Sequence, residues 1–352
     1  MPFSIVRNDI TRVRADAIVN TANPQPVIGR GTDSAIYAAA GEEKLLAERR
    51  RIGTIEPGQA AATPAFDLNA KYIIHTVGPA WIDGGHGERE TLQSCYRSSM
   101  ALAASLECAS IAFPLIATGI YGFPKDEALN IALAEIGRFL LTHEMHVTLV
   151  VFDRRALELS EDLIGGIEQY IDEHAAQAIR AEEYGLGDGD ERGRRALLRE
   201  RERERSARLM NNRADAAASQ AAAPMPPLSG RDLDAVLGEP GKSFRQRLFE
   251  LIDASGMDEV TVYKKANIDR KVFSRIRSKH DYRPTKRTAV AFAIALQLDL
   301  ATTRDLLSRA EIALSPSSRF DLIVSYFITN RNYNIYELNT ALFSYGLPTL
   351  DE

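Results

Sequence analysis

Two polar side chains lie in a stretch of sequence that is suited to holding an anion. Asn23 follows a short apolar run, and Asp33 comes ten residues later, in the first turn of an expected helix. A small glycine loop, Gly29-Arg30-Gly31, lies between them. A glycine loop and a helix N-terminus present backbone N–H groups and a favourable helix dipole to negative charge. We therefore expect an anionic ligand here, although Asp33 could also serve only to stabilise the helix dipole.

A second loop of similar composition follows a strand that ends at Pro114. It carries Thr118, Gly119, Tyr121, Gly122 and Phe123, and leads into another expected helix. Two such loops suit a diphosphate lying between them, and the aromatic residues supply flat faces for a ribose or a base. From spacing alone, an ordinary βα turn explains this loop equally well. Asp9, after the first strand, could accept a hydrogen bond from an exocyclic amine such as that of adenine, or could cap a turn.

The elements that must position these residues alternate along positions 1–174. Strands are expected at 3–6, 17–19, 72–77, 110–114 and 146–152, and helices at 34–51, 88–106, 125–142 and 161–174. Apolar, β-branched runs between helices predict an α/β domain with a largely parallel, buried sheet. Ligands of such sheets bind at the carboxyl ends of the strands, and the loops described above occupy those positions.

The rest of the chain is expected to form a linker and a helical domain. Residues 175–240 are charged and rich in Ala and Pro; the Arg/Glu run at 194–208 suits either a solvated helix or a disordered linker. Residues 241–352 regain a helical period and predict an all-α domain, which carries the basic excess of a chain with net charge −5.

Composition narrows the class of protein further. The length of 352 residues suits two ordinary domains, and we see no apolar run long enough to span a bilayer and no signal peptide. The two cysteines, Cys95 and Cys108, are expected to be free thiols in a reducing cytoplasm. No metal-ligand spacing is evident, and His75, in a strand, favours a core or loop-anchoring role over catalysis.

Five separated motifs resemble the macrodomain family of ADP-ribose-binding proteins. They are N-D-I-T at 8–11, D-A-I-V-N-T-A-N at 16–23, G-R-G-T-D at 29–33, H-T-V-G-P at 75–79 and P-L-I-A-T-G-I-Y-G-F-P at 114–124. They occur in the order of the family and cover nearly all of residues 1–174. The resemblance implies a three-layer α/β/α domain with a central mixed, largely parallel sheet that binds ADP-ribose.

The resemblance also implies a role for particular residues. Asp9 would meet the adenine, the two glycine loops would hold the diphosphate, Phe123 would pack on the distal ribose, and Phe152 would lie near the adenine ring. Arg30 could pair with the diphosphate or point to solvent. The ligand-binding residues are thus expected to be Asp9, Ile10, Asn20, Gly29, Arg30, Gly31, Ala117, Thr118, Gly119, Ile120, Tyr121, Gly122, Phe123 and Phe152.

In the hydrolytic members that this sequence resembles, an asparagine and an aspartate ten residues apart serve the distal ribose and its attacking water. Asn23 and Asp33 match those positions. The resemblance implies release of ADP-ribose from modified acidic side chains, or deacetylation of O-acetyl-ADP-ribose, without a cofactor or metal. Those relatives usually carry four glycines before the aspartate, whereas this chain has Ile28-Gly29-Arg30-Gly31. A non-catalytic ADP-ribose sensor, coupled to the C-terminal domain, is therefore the alternative.

The segment 260–278 resembles a helix-turn-helix of the phage-repressor type. The basic and polar face of its second helix would meet DNA through Arg270, Lys271, Ser274, Arg275 and Arg277. Lys264, Lys265, Lys279 and Lys286 could meet phosphates. A protein-interaction or dimerisation module fits these helices as well as DNA binding does.

Overall fold

A six-stranded mixed sheet forms the centre of the N-terminal part in the computed structural model, which describes residues 2–152, 161–184, 242–279 and 281–350. The strands are Phe3–Arg7 (β1), Ala17–Thr21 (β2), Ala60–Pro64 (β3), Tyr72–Thr76 (β4), Ser110–Pro114 (β5) and His146–Val151 (β6). Their order is β1-β6-β5-β2-β4-β3. All neighbouring pairs are parallel except β3 with β4, which is antiparallel. The carboxyl ends of β1, β2, β5 and β6 therefore lie at one edge.

Helices cover both faces of this sheet, as the sequence predicts. They are Thr32–Ala40 (α1), Glu42–Ile52 (α2), Glu88–Ser105 (α3) and Lys125–Thr142 (α4), with a 3-10 turn at Ile10–Arg12. Alternate residues of β2 enter different layers of the core: Ala17 and Val19 pack with α3 and α4, whereas Ile18 packs with α1 and α2. This alternation is the expected consequence of a strand that is buried on both faces. The three-layer α/β/α prediction is confirmed.

The expected single helix at 34–51 is wrong, because the chain breaks there into α1 and α2. Gly41 separates the two helices with a φ of 94°, a value that residues with a side chain rarely adopt. The second helix consequently starts in a new direction. This break matters for the site, because α1 carries Asp33 while α2 carries Arg49.

The C-terminal part is all-α, as predicted. Its helices, together with the one that leads to it, are Glu161–Tyr184 (α5), Phe244–Ser255 (α6), Glu259–Lys265 (α7), Arg270–Ser278 (α8), Lys286–Ala295 (α9), Leu300–Ser308 (α10), Arg319–Thr329 (α11) and Ile335–Ser344 (α12). Helix α9 lies at the centre, since every residue of 288–295 is buried. Ser243 begins α6 with a capping box, its hydroxyl accepting from the backbone of Gln246. The Arg/Glu run at 194–208 lies outside the described residues.

Residues 1–171 and 242–352 form one compact unit. Ile167, in α5, is buried in the same core as the C-terminal helices. The domain boundaries expected at 174 and 241 therefore remain predictions. Cys95 and Cys108 are free and buried. Among the helices described, none combines the length and apolar character required to cross a bilayer.

One asparagine side chain joins the C-terminal helices to the sheet. Asn267, in the turn between α7 and α8, is buried with a φ of 53°. The backbone N–H of Phe3 donates to Asn267 Oδ1 at 2.9 Å, and Asn267 Nδ2 donates to the carbonyl of Phe3 at 2.9 Å. The Phe3 ring packs edge-on against Tyr336 at 5.2 Å between centroids. The Tyr263 hydroxyl donates to Glu144 at 3.1 Å. The turn between α7 and α8 is thus fixed at the start of β1.

Candidate functional site

A cavity of about 430 Å³ opens where the parallel strands end. It is lined by Asn8, Asp9, Ile10, Gly31, Thr32, Ala35, Pro114, Leu115, Thr118, Val150, Val151 and Phe152. The structure thereby brings together Asp9, Ile10, Gly31, Thr118 and Phe152 from the expected ligand-binding set. Phe152 is 81% exposed at this cavity. The N-terminus of α1 also borders it, so that backbone N–H groups and the helix dipole favour an anion there.

Asp9 both caps a turn and faces the cavity. Its carboxylate accepts hydrogen bonds from the backbone N–H of Thr11 at 3.0 Å and from the Thr11 hydroxyl at 2.8 Å. These two bonds, backbone first, lower the pKa of Asp9. The side chain is therefore an ionised acceptor fixed at one end of the cavity.

Asp33 is a buried carboxylate held from two sides, with 3% of its surface exposed. The backbone N–H of Gly29 donates to Oδ2 at 2.5 Å, and Asn20 Nδ2 donates to Oδ1 at 2.6 Å. Burial raises the pKa of Asp33, while these bonds and the positive charge of Arg49 oppose the rise. A carboxyl group with a raised pKa is a better proton acceptor at neutral pH than an ordinary one.

A buried chain of hydrogen bonds fixes Asn20 behind Asp33. Asn20 Nδ2 also lies 3.1 Å from His75 Nδ1, and His75 Nε2 lies 3.0 Å from the Thr63 hydroxyl. Because the amide donates to Nδ1, we assign the ring proton to Nε2, from which it is donated to Thr63. Burial lowers the pKa of His75 to about 3, so the ring is neutral. His75 acts as an anchor, and Asn20 reaches Asp33 rather than the cavity.

Asn23 connects the two glycine loops. Its Nδ2 donates to the carbonyl of Val27 at 3.1 Å, and the Tyr121 hydroxyl donates to its Oδ1 at 3.4 Å. Trp81 holds the second loop by donating its backbone N–H to the carbonyl of Tyr121 at 2.8 Å. Phe123 is 2% exposed and packs edge-on against Trp81 at 4.7 Å, so that it supports the loop from beneath.

The remaining residues of the second loop form a tight turn. Ala117 and Gly122 both have positive φ angles, of 65° and 67°. The backbone N–H of Gly122 donates to the carbonyl of Gly119 at 3.1 Å, and the backbone N–H of Phe123 donates to the carbonyl of Ala117 at 3.1 Å. Ile120 is 72% exposed at its tip. Of this loop, Thr118 lines the cavity, whereas Tyr121 reaches Asn23.

The two glycines retained at 28–31 occupy the positions where glycine is needed. A Cβ on Gly29 would lie 2.9 Å from Asn23 Nδ2 and 3.0 Å from Asp33 Oδ2. Gly31 has a φ of 67°, which favours glycine. Ile28 packs against the core layer beneath α1, and Arg30 is exposed. The two non-glycine residues of this segment therefore leave the space at Gly29, between Asn23 and Asp33, free of a side chain.

Arg49 is a site residue that sequence reasoning missed. Its guanidinium is buried and donates through Nη2 to the carbonyls of Asn23 and Pro24, at 3.0 and 2.9 Å, and through Nη1 to the carbonyl of Gly53. Arg49 is the first of three consecutive arginines, a pattern that predicts a solvated helix face. The available signal was its spacing of four residues from the buried Leu45, which places both on one face of α2.

A cluster of three potential metal ligands lies in the loop before α3. The ligand atoms of Asp83, His86 and Glu88 lie within 4.8 Å of one another. Glu88 accepts from the backbone N–H groups of Ile82, Gly84 and His86, at 3.2, 3.2 and 2.7 Å. These bonds explain Glu88 as the residue that orders the loop, a role the sequence did not suggest.

Helices α7 and α8 form a pair, in which α8 exposes a basic face and buries its opposite side. Arg270, Lys271, Ser274, Arg275 and Arg277 are all exposed on α8. Of the lysines expected to meet phosphates, Lys264 and Lys286 have partners within the chain. Lys264 Nζ donates to the carbonyl of Leu141 at 3.2 Å, and Lys286 Nζ donates to Asp321 at 2.6 Å. Helix α7 faces α4 and the sheet, so it does not present a free surface on that side.

Comparisons with known proteins match the N-terminal part. A sequence model described as Macro domain matches residues 19–132. The macro domain-containing protein mll7730 of Mesorhizobium japonicum is 46% identical over 153 residues, which cover 43% of this chain and 86% of that protein. The O-acetyl-ADP-ribose deacetylase of Cronobacter sakazakii is 40% identical over 172 residues, which cover 47% of this chain and 96% of that protein. The ADP-ribose glycohydrolase MACROD2 of Xenopus laevis is 45% identical over 152 residues, which cover 42% of this chain and 36% of that protein.

These matches do not support the helix-turn-helix resemblance of the C-terminal helices. The family model spans the segment that carries both glycine loops. The extent and identity of the first match, which covers most of its relative, identify the N-terminal part. The chain belongs to the macro domain family.

Proposed function

We propose that the chain binds ADP-ribose in the 430 Å³ cavity and hydrolyses ADP-ribose esters. The substrates are mono-ADP-ribosylated glutamate or aspartate side chains, or O-acetyl-ADP-ribose. The observation that carries this proposal is the buried Asp33 carboxylate, which Gly29 and Asn20 hold beside Asn23 at the end of the glycine loop. The names of two relatives, a deacetylase of O-acetyl-ADP-ribose and an ADP-ribose glycohydrolase, support the choice of substrate.

In this proposal the ligand lies along the carboxyl ends of the strands. Asp9 accepts from the adenine amine, and Phe152 covers the base. The diphosphate meets backbone N–H groups at Gly31 and Thr118 and the N-terminus of α1. The distal ribose extends towards Asn23 and Tyr121, whose contact closes that end of the site.

The proposed reaction needs only water and the chain's own groups. Asn23 orients the distal ribose, and Asp33 binds and deprotonates the attacking water, with the substrate diphosphate as an alternative base. Two of the roughly four acceptor positions of the Asp33 carboxylate are occupied by Gly29 and Asn20, which leaves acceptors for water. The water oxygen bonds to the acyl carbon of the ester, and the bond between that carbon and the ribose oxygen breaks. The proton taken by the base passes to the departing ribose oxygen, and the carboxylic acid that forms loses its remaining proton to solvent. The products are ADP-ribose and a free carboxylate.

The proposal is tested by incubating the full chain with mono-ADP-ribosylated glutamate protein and, separately, with O-acetyl-ADP-ribose. Release of ADP-ribose from either substrate is the expected result, with binding of free ADP-ribose measured by calorimetry. Tight binding without release from either substrate would exclude the hydrolase. We place the reaction in the cytoplasm, to which the two free thiols are suited.

Gly29 gives a sharp test of whether Asn23 and Asp33, which flank it, act together. Gly29→Ala places a Cβ 2.9 Å from Asn23 Nδ2 and 3.0 Å from Asp33 Oδ2, so one of them must move. Because small misplacements of reacting groups are costly, we expect kcat to fall by about 10- to 100-fold. Gly165→Ala is the matched control, since its Cβ meets nothing within 4 Å, and it should leave kcat unchanged. Full activity of Gly29→Ala would show that the pair does not act together.

A second candidate function is non-catalytic reading of ADP-ribose, coupled to DNA or protein binding through the C-terminal helices. The exposed basic face of α8 favours it. Three features weigh against a free DNA-binding pair: α7 packs on α4, Asn267 is buried at β1, and Arg277 pairs with Glu259 at 3.1 Å. The hydrolase therefore remains the first proposal.

Titration of the full chain with duplex DNA separates these versions. If α8 contacts phosphates, affinity should fall steeply between about 50 and 200 mM salt, because counterions are released on binding. The double variant Arg270→Ala, Arg275→Ala should then lower both affinity and salt dependence. Failure to bind DNA at low salt would leave protein interaction as the sensor's output.

A further inference from the structure

Arg49 contacts the backbone of the segment that carries Asn23, and its hydrogen bonds are unusual for a buried cation. It is 1% exposed, and the bonds found for it in the described part of the chain all go to backbone carbonyls. Two of those carbonyls belong to consecutive residues, Asn23 and Pro24, and the third belongs to Gly53 at the end of α2. A guanidinium presents several N–H donors in a rigid fork, so it can hold such carbonyls in one geometry.

Arg49 also supplies charge to Asp33. Four titratable groups make up the electrostatic surroundings of Asp33: Arg49 from α2, Tyr37 from α1, Tyr121 from the second loop, and His75 from β4, which is linked to Asp33 through Asn20. His75 is neutral, and burial raises the pKa of Tyr37 to about 12 and that of Tyr121 above its ordinary value. Among these groups, Arg49 is the cation.

We propose that Arg49 is a positioning residue for the candidate catalytic pair. Its guanidinium fixes the backbone that carries Asn23 and places a positive charge near the carboxylate of Asp33. The inference rests on the proposed hydrolysis and deepens it, because it names a residue that acts through both members of the pair. Arg49 reaches neither the cavity lining nor the proposed ligand.

The two effects can be separated by two substitutions. Arg49→Lys keeps the positive charge but loses the fork that reaches three carbonyls. Arg49→Met loses both the charge and the fork while keeping a long side chain. Arg50→Met is the matched control, because Arg50 is the next residue of α2 and is exposed. For each variant we measure kcat and KM against pH, the affinity for ADP-ribose, and hydrogen exchange of residues 20–31.

Both Arg49 variants should lower kcat by about 10- to 100-fold, because the loop that carries Asn23 is no longer fixed. ADP-ribose affinity should change by less than about threefold, since the cavity lining is intact. Activity needs ionised Asp33, so it falls as pH drops through the Asp33 pKa. Loss of the nearby cation disfavours the carboxylate, so the acid limb of Arg49→Met should move to higher pH. The acid limb of Arg49→Lys should stay in place.

Hydrogen exchange measures how firmly Arg49 holds the loop without requiring the protein to turn over substrate. Exchange in residues 20–31 should rise in both Arg49 variants and stay unchanged in Arg50→Met. Wild-type protein that hydrolyses neither substrate would remove the proposed function, while exchange would still test how Arg49 holds the loop. Full kcat in Arg49→Lys, or an unmoved acid limb in a folded Arg49→Met, would overturn the positioning role. So would unchanged exchange in both variants.

Discussion

Asp33→Asn should reduce the hydrolysis of ADP-ribose esters by at least about 100-fold, because a positioned base typically contributes that factor or more. The affinity for ADP-ribose should change by less than about threefold, since in the proposal Asp33 acts on the attacking water and the residues that line the cavity make the ligand contacts. Asparagine keeps the shape of the side chain but cannot take a proton. Single-turnover assays with modified protein, together with calorimetry of ADP-ribose binding, measure the two quantities.

Asp67→Asn is the control for Asp33→Asn. Its carboxylate is 60% exposed and pairs with Lys44, away from the cavity, so activity should not change. In the wild type, burial raises the pKa of Asp33 above its ordinary value of 3.8. Activity should therefore fall with decreasing pH earlier than an exposed carboxyl group would predict. More than a tenth of wild-type kcat in Asp33→Asn would remove Asp33 from the role of base.

Asn267→Gly should destabilise the whole compact unit. The substitution leaves the backbone N–H and carbonyl of Phe3 without their partners, and each unpaired buried group typically costs about 1–3 kcal/mol. Glycine tolerates the φ of 53° at this position, so backbone strain does not add to the loss. We expect the free energy of unfolding to fall by about 2–4 kcal/mol in urea denaturation of the full chain.

Arg331→Gly is the matched control for Asn267→Gly. Arg331 also has a positive φ, of 54°, but it is exposed. Glycine there should leave stability nearly unchanged or raise it slightly. ADP-ribose affinity should be unchanged in folded Asn267→Gly, because Asn267 lies at the start of β1 and the cavity lies at its end. A stability equal to wild type would show that the Phe3 backbone finds other partners.

The sequence predicts elements well where local chemistry decides their ends. Strand 110–114 and helix 125–142 have the predicted bounds, the helix beginning after a proline. Strand β3, A-A-A-T-P, was missed because alanine carries little strand preference, and its pairing with β4 decides its conformation. The break at Gly41 was missed because amphipathic spacing continues across it.

The site shows a similar division between local and distant information. The motifs predicted that Asp9, Gly31 and Thr118 meet, since strand ends in a parallel sheet share one edge. They could not predict that Arg49 binds the carbonyls at positions 23, 24 and 53. Every residue has a backbone carbonyl, so the residue types at these positions do not indicate the contact. Nor could the motifs predict the partner of Asn267, because the backbone of Phe3 lies 264 positions away in the sequence.

The pairing of Asn267 with Phe3 also affects whether another strand can add to the edge of the sheet. Strand β1 is an outer strand, and outer strands can recruit an extended peptide or the same strand of a second molecule. At Phe3 the two backbone groups that would receive such a strand are already occupied by a side-chain amide. The chain thus blocks strand addition at this position itself, and we expect loosening of the C-terminal helices to expose this edge of the sheet to self-association.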